Sequence, residues 1–225
     1  MLYIAVEQST IHGSLALVRG TSLLDAFSWT CDRSANATLS AVMAEWQVDG
    51  RLDLAALDCL VVGVGPGSYT GLRTALALFN ACALPDNKMV YALSSAETLA
   101  WQLAPDFNDR PIMVIGDARR GQLWYRIFRS RGLAPPVAET GWSLGTPAEL
   151  PWQTGLVAAT SDWDRIGANL QRCVPRDVTL LQGAAIPSAL SLARLTAMRL
   201  VDAVPSEPLA PIYLHAAVRH AAKPT

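Results

Sequence analysis

One glycine-rich stretch decides the fold of this 225-residue chain: Gly63-Val64-Gly65-Pro66-Gly67-Ser68-Tyr69-Thr70-Gly71-Leu72-Arg73. The apolar run Cys59–Val62 precedes it, and a helical composition follows it through Leu84. A buried strand, a tight turn and a helix in this order are typical of an α/β protein. Two interpretations of the turn stay open. Either the glycines let the backbone approach a phosphate or carboxylate at the helix N-terminus, or Ser68 or Thr70 simply caps the helix.

The spacing of these glycines excludes the two common nucleotide-binding loops. Gly65-Pro66-Gly67 is not followed by the Gly-Lys-Ser/Thr of a Walker loop, and no register gives the G-x-G-x-x-G of a Rossmann fingerprint. Lys88 and Lys223 are the only lysines, which leaves Arg73 as the only cation near the loop. A transferring phosphate would therefore find little positive charge here.

The composition indicates a compact globular protein. Hydrophobic residues make up 51% of the chain and charged residues 16%, and no apolar run reaches the roughly 18 residues of a membrane helix. No basic region precedes the apolar stretch at the N-terminus, so we expect a cytoplasmic protein. The net charge of −1 gives no long-range field that would attract nucleic acid.

Three apolar runs before the glycine stretch predict the strands of an N-terminal sheet: Leu2–Val6, Ser14–Val18 and Ser22–Trp29. The chain then changes period, because four apolar residues recur at the spacing of one helical face: Leu39, Val42, Met43 and Trp46. After the stretch, Val90–Leu93 predicts another strand, and Ser94 and Glu97 have the spacing of a capping box at the start of a helix. The predicted order of the first half is thus βββαβαβα.

A cluster of helix- and strand-breaking residues at positions 105–111 predicts a lobe boundary. We place one lobe at residues 1–109 and a smaller, diverged lobe at residues 110–225, which again opens with two apolar runs, Ile112–Ile115 and Leu123–Phe128. Two lobes that each begin with a strand hairpin suggest a duplicated ribonuclease-H-like unit, an α/β unit whose mixed sheet carries helices on both faces. Three prolines predict an extended tail: Pro205, Pro208 and Pro211.

The helix that follows the glycine stretch has almost no polar face, so something must cover it on both sides. One side is its own sheet. The other is either a partner protein or the preceding helix of the same chain. If both helices expose an apolar stripe, they form a partner interface that also allows a homodimer. The candidate interface residues are Leu39, Met43, Trp46, Leu72, Leu76 and Phe79.

Two carboxylates and a group of arginines are further candidates. Glu7 and Asp117 each follow a strand that opens a lobe, so lobe closure would bring both toward a cleft, where paired carboxylates hold hydrated magnesium; otherwise they cap turns. The three histidines have no metal-ligand spacing, so we expect no histidine-based metal site. Arg119, Arg120 and Arg126 are candidates for RNA contact, although arginines on the solvent-exposed face of a hairpin are the more frequent explanation of such a group.

The stretch from Gly65 to Arg73 resembles the G-P-G-S-[FY]-T-G-[VL]-R signature of the TsaB family. Three more segments resemble family motifs in the same order: Ile4–Thr10, Asp117–Trp124 and Pro211–Leu214. The chain departs from those motifs in several places. Glu7, Gln122 and His215 stand where the family usually has Asp, Glu and Arg, and residues 33–36 lack a histidine that is often present.

The resemblance implies an actin-like (ASKHA) fold and a role in forming N6-threonylcarbamoyladenosine (t6A) at position 37 of tRNA. In that family the protein is a non-catalytic scaffold that pairs with the metal-bearing TsaD through helices of the N-terminal lobe. TsaE joins the larger assembly, and tRNA is contacted only indirectly.

The resemblance thus implies no catalytic residue, metal or cofactor in this chain. It leaves only a vestigial nucleotide or anion loop, made of Glu7, Gly65, Gly67, Ser68, Thr70 and Asp117. The alternative is an ATP- and magnesium-dependent small-molecule phosphotransferase of the same fold, in which Glu7 and Asp117 hold the metal. A metallopeptidase is a distant third, because no convincing ligand set is visible.

Overall fold

The computed structural model describes residues 1–30 and 38–214, and its strands form two mixed sheets. The first sheet contains β1 (Leu2–Glu7), β2 (His12–Arg19), β3 (Ser22–Thr30), β4 (Cys59–Gly63) and β5 (Met89–Leu93). Its strand order is β3-β2-β1-β4-β5, with β1 antiparallel to β2 and parallel to β4. The departures noted at residues 33–36 and at His215 lie outside the described residues.

The second sheet repeats this arrangement. It contains β6 (Pro111–Asp117), β7 (Leu123–Arg131), β8 (Ala134–Ala138), β9 (Ser143–Gly145), β10 (Val157–Thr160) and β11 (Thr179–Leu180). The order is β11-β10-β6-β7-β8, and β9 also pairs with β7. In both sheets the opening strand has antiparallel neighbours on one side and parallel neighbours on the other. This is the duplicated unit that the sequence predicts.

Among the described residues, five helices flank the sheets: α1 (Thr38–Val48), α2 (Tyr69–Ala83), α3 (Ser95–Leu103), α4 (Trp163–Cys173) and α5 (Ala189–Val201). Single 3₁₀ turns follow α2 and α3, at Leu84–Asp86 and Ala104–Asp106. α4 joins β10 to β11 as α2 joins β4 to β5, but no helix lies between β8 and β10. The second unit is therefore a shortened copy of the first. No helix in the described ranges is both long and apolar enough to cross a membrane.

Alternate residues of the first sheet face different helices. Ile4 and Val6 point to one face, where they pack with α1 and α2. Tyr3 and Ala5 point to the other face, where α5 covers them. Because helices cover both faces of this sheet, its central strands are almost continuous apolar runs.

The helices that follow each sheet are exchanged between the lobes. α3 comes directly after β5, yet Leu99 and Ala100 pack on the second sheet. α5 comes after β11, yet Leu192 and Leu195 pack on the first sheet. The boundary predicted between residues 109 and 110 therefore separates the strands of the two sheets but not their hydrophobic cores. Residues 204–214, which follow α5, form neither helix nor strand, and the chain bends at Leu209 and Ala210, where the N–H of Ala210 donates to the carbonyl oxygen of Pro208.

Candidate functional site

The glycine loop, defined as residues 64–68 between β4 and α2, is filled by its own chain. A Cβ on Gly67 would overlap the carbonyl oxygen of Ser9 and lie 2.9 Å from Ser9 Cβ. The N–H of Ser68 donates to the same Ser9 oxygen at 2.7 Å, and a Cβ on Gly71 would overlap the carbonyl oxygen of Gln8. The turn between β1 and β2 thus occupies the side of Gly67 and Gly71 on which a side chain would project, while Gly67 keeps another side exposed to solvent.

The peptide groups of Gly65 are also satisfied inside the protein. This residue has φ +91°, which favours glycine. Its N–H donates to Ser95 Oγ at 3.0 Å, while its carbonyl oxygen accepts from Ser95 N–H at 2.9 Å and from Ser94 Oγ at 3.2 Å. The loop is therefore joined to the start of α3 as well as to the β1–β2 turn.

Ser68 has the capping geometry that the second interpretation of the loop requires. Its Oγ accepts from the N–H of Gly71 at 3.2 Å, which satisfies one of the free donors in the first turn of α2. Thr70 is exposed and makes no cap. The hydroxyl of Ser68 therefore stabilises the helix start.

Glu7 is fully buried at the end of β1. Its Oε1 accepts from Ser9 N–H at 2.8 Å, whereas Oε2 has no hydrogen-bond partner and lies against the Cα of Gly63. Burial raises the pKa of the Glu7 carboxyl, and the hydrogen bonds from Ser9 offset this only in part. Because the carboxyl is fully buried, it has no solvent-facing oxygen with which to hold hydrated magnesium.

Asp117 lies at the end of β6 and is engaged within its own lobe. Its Oδ1 accepts from the N–H of Arg119 at 2.7 Å. Its Oδ2 forms ion pairs with Arg119 at 3.2 Å and with Arg165 at 3.5 Å. The prediction that lobe closure pairs Glu7 with Asp117 is therefore not met, because each carboxylate has its partners in its own lobe. Within residues 1–30 and 38–214, no group of three or more His, Cys, Asp or Glu could hold a metal ion.

The six predicted interface residues lie in the core, which corrects that prediction. Leu39, Trp46, Leu72 and Phe79 are at most 1% exposed, Met43 is 3% exposed and Leu76 is 6% exposed. Five of them belong to one cluster in which α1 and α2 pack together on the first sheet. The preceding helix of the same chain therefore helps to cover α2, as the alternative interpretation stated.

The solvent-facing sides of α1 and α2 include four alanines. Ala41 and Ala44 are exposed on α1, and Ala77 and Ala81 are exposed on α2, beside larger exposed residues that include Glu45 and Arg73. Both helices pack on the same face of the first sheet, so these alanines lie on one side of the molecule. Small side chains there let another backbone approach closely.

The arginines of residues 119–131 do not form one basic patch. Arg119 is paired with Asp117, and Arg129 is paired with Glu139. Arg126 donates to the carbonyl oxygen of Thr140 at 3.1 Å and stacks over the Trp142 ring at 4.8 Å. These contacts support the hairpin interpretation. Arg120 is exposed in the β6–β7 turn, where it has φ +55°.

A shallow pocket of about 430 Å³ opens where β2 and β3 meet the segment before α5. Residues 12–14, 28–30 and 186–188 line it, and this described lining contains no lysine, arginine, aspartate or glutamate. The described lining residues therefore offer a bound polyphosphate no lysine or arginine.

Two groups of interacting residues had no signal in the sequence. Ser94 caps α3 as predicted, but Glu97 forms a buried ion pair with Arg199 of α5 instead of closing the capping box. At the start of α2, Tyr69 stacks on Tyr213 with ring centroids 5.5 Å apart. Both pairs join residues more than 100 positions apart, so no local pattern could have revealed them.

Comparison with known proteins connects these features to one family. A family model described as "TsaD: tRNA N6-adenosine threonylcarbamoyltransferase" matches residues 31–133. The TsaB protein of Bacillus subtilis, a tRNA threonylcarbamoyladenosine biosynthesis protein, is 31% identical over 131 residues, which are 57% of this chain and 56% of that protein. These findings confirm the resemblance to the TsaB family. The TsaB protein of Buchnera aphidicola is 19% identical over 124 residues.

The fraction of each relative that this chain matches differs from one relative to the next. An uncharacterized protein of Mycobacterium leprae is 30% identical over 131 residues but is matched over only 33% of its length. The chain thus spans between a third and about half of the first relatives it matches. The structure resembles YeaZ from Pseudomonas aeruginosa with a TM-score of 0.79 at 21% identity, covering 95% of this chain and 99% of that chain. This likeness agrees with the actin-like, two-lobed fold expected for the TsaB family.

Proposed function

We propose that the chain is a non-catalytic scaffold subunit that binds a TsaD-type transferase in the cytoplasm and supports formation of t6A at position 37 of tRNA. The similarity to the TsaB proteins and the match to the TsaD family model support the pathway. The single observation that carries the non-catalytic role is the filled glycine loop, in which Ser9 and Gln8 occupy the side of Gly67 and Gly71 on which a side chain would project.

Several features support a scaffold over a phosphotransferase. Phosphoryl transfer needs positive charge around the phosphates and a metal between them. Glu7 is buried against Gly63, Asp117 is paired with two arginines, and the described lining of the pocket near β2 and β3 has no lysine or arginine. Calorimetry with Mg-ATP separates the two functions. Binding tighter than about 10 μM, roughly 7 kcal/mol, would favour the phosphotransferase.

The proposed docking surface is the alanine face of α1 and α2, defined by Ala41, Ala44, Ala77 and Ala81. These residues are exposed, and the apolar side chains beneath them are already packed. A partner helix can approach such a face closely, and a second copy of this chain could use the same face when the transferase is absent. We include TsaE only as a further member of the larger assembly.

The docking surface is tested by placing a charge on it. Ala77→Glu should weaken binding to the TsaD-type transferase of the same genome by at least tenfold, because it introduces an unpaired charge into an apolar contact. Ala168→Glu is the matched control, since Ala168 is also an exposed alanine on a helix but lies on α4. Biolayer interferometry measures both affinities. Equal affinities for the two variants would remove this face from the interface.

A further inference from the structure

The tail, residues 204–214, is bound to the first lobe along most of its length. The hydroxyl of Tyr91 donates to the carbonyl oxygen of Val204 at 2.8 Å, and Ser206 accepts from the N–H of Ala92 at 2.8 Å. The N–H of Glu207 donates to the carbonyl oxygen of Ala92 at 3.0 Å. The tail therefore covers the outer edge of β5, which would otherwise be an unpaired strand.

The last three described residues of the tail have three different neighbours. The N–H of Ile212 donates to the carbonyl oxygen of Val64 at 2.9 Å, and its side chain packs on the core between the first sheet and α1 and α2. Tyr213 stacks on Tyr69, the first residue of α2. Leu214 packs on the cluster formed by α3 and the second sheet. One short segment thus touches the first lobe, the start of α2 and the core of the second lobe.

The short stretch of chain between these residues makes their contacts interdependent, because consecutive residues span at most about 3.3–3.6 Å each. Ile212 and Leu214 are part-buried, whereas Tyr213 is 52% exposed beside Tyr69, which is 58% exposed. All three anchors lie within about 7 Å along the chain, so a shift at one is passed to the others with little slack.

We propose that residues 212–214 form a clamp that couples the core of the second lobe to the first turn of α2. Displacement of α3 or of the second sheet moves Leu214, and the stacked pair Tyr213–Tyr69 transmits the movement to the helix that carries part of the alanine face. The inference does not depend on which partner the protein binds, since it rests only on contacts within the chain.

Hydrogen–deuterium exchange on the full chain tests this coupling. Leu214→Ala removes the anchor on the second lobe and leaves the side chains around α2 unchanged. We expect the amides of Leu72 and Thr74, in the early part of α2, to exchange about tenfold faster, although neither residue belongs to the core cluster on which Leu214 packs. Leu209→Ala is the matched control, because Leu209 is in the same tail, is 46% exposed and belongs to none of the core clusters.

A double-mutant comparison distinguishes an effect transmitted through Tyr213 from a direct effect of Leu214. If the clamp transmits the effect, Leu214→Ala should no longer change exchange in α2 when Tyr213→Ala is already present. Thermal unfolding of each variant ensures that only folded proteins are compared. An increase confined to residues 212–214 and their direct neighbours in the second lobe would overturn the proposal. So would an equal effect of Leu209→Ala, or an effect of Leu214→Ala that persists without Tyr213.

Discussion

Replacing Gly67 by alanine tests whether the glycine loop is a packed joint or an open cradle. The new Cβ would overlap the carbonyl oxygen of Ser9, which is backbone and cannot rotate away. Forcing a methyl group into a packed site costs about 1–3 kcal/mol. The shift would also stretch the 2.7 Å hydrogen bond from Ser68 to Ser9, which contributes about 1 kcal/mol. Alanine regains up to about 1 kcal/mol by restricting the unfolded chain. The net expectation is a loss of about 1–4 kcal/mol, with about 2.5 kcal/mol as the central value.

The assay is thermal and urea unfolding followed by circular dichroism. For a chain of 225 residues each kcal/mol lowers Tm by about 2–4 °C, so Gly67→Ala should lower it by roughly 8 °C. Gly141→Ala is the control, because a Cβ there meets no atom within 4 Å and the residue has no positive φ. Equal Tm values for the two variants would refute the reasoning. An open anion cradle would tolerate the methyl group in the unliganded protein.

Two other substitutions test the groups on either side of this loop. Glu7→Gln keeps an oxygen that accepts from Ser9 and removes the ionisable group. Because the folded-state pKa of Glu7 is raised above its ordinary 4.5, the unmodified protein should lose stability as pH rises from about 4.5 toward the raised value. Relative to the Gln variant, the free energy of unfolding should fall by at most about 1.4 kcal/mol per pH unit. Urea titrations of both proteins between pH 4 and 7 measure this difference. A difference in stability that does not change with pH would contradict the prediction. Phe79→Ala should cost about 3–5 kcal/mol in the isolated monomer, since the ring is fully buried. An unchanged Tm would indicate that the Phe79 ring lies on the exposed face of α2 and not in the core.

The sequence predicted the elements whose pattern is local. Leu39, Val42, Met43 and Trp46 recur at helical spacing, and all four are buried on one face of α1. The paired hairpins were visible because each sheet opens with two apolar runs. α4 was not predicted, because Ile166 and Leu170 are the only large apolar residues buried on it and their spacing alone is a weak signal.

Features that depend on tertiary contacts were not accessible from the sequence. An apolar helix face must be covered, but the pattern of α2 does not say whether a partner or α1 covers it, and the six core residues were assigned to the wrong side for that reason. No local sequence pattern shows that α3 packs on the second sheet and α5 on the first. The filling of the glycine loop depends on the carbonyl oxygens of Gln8 and Ser9, and a backbone oxygen has no sequence signature.

The central claim is that this chain acts by binding a TsaD-type transferase. Size-exclusion chromatography with light scattering, using the purified chain and the transferase of the same genome at micromolar concentration, tests that claim most directly. We predict one co-eluting complex whose mass equals the sum of its subunits. Ala77→Glu should reduce the amount of this complex, and Ala168→Glu should leave the amount unchanged. Separate elution of the two unmodified proteins at that concentration would contradict it.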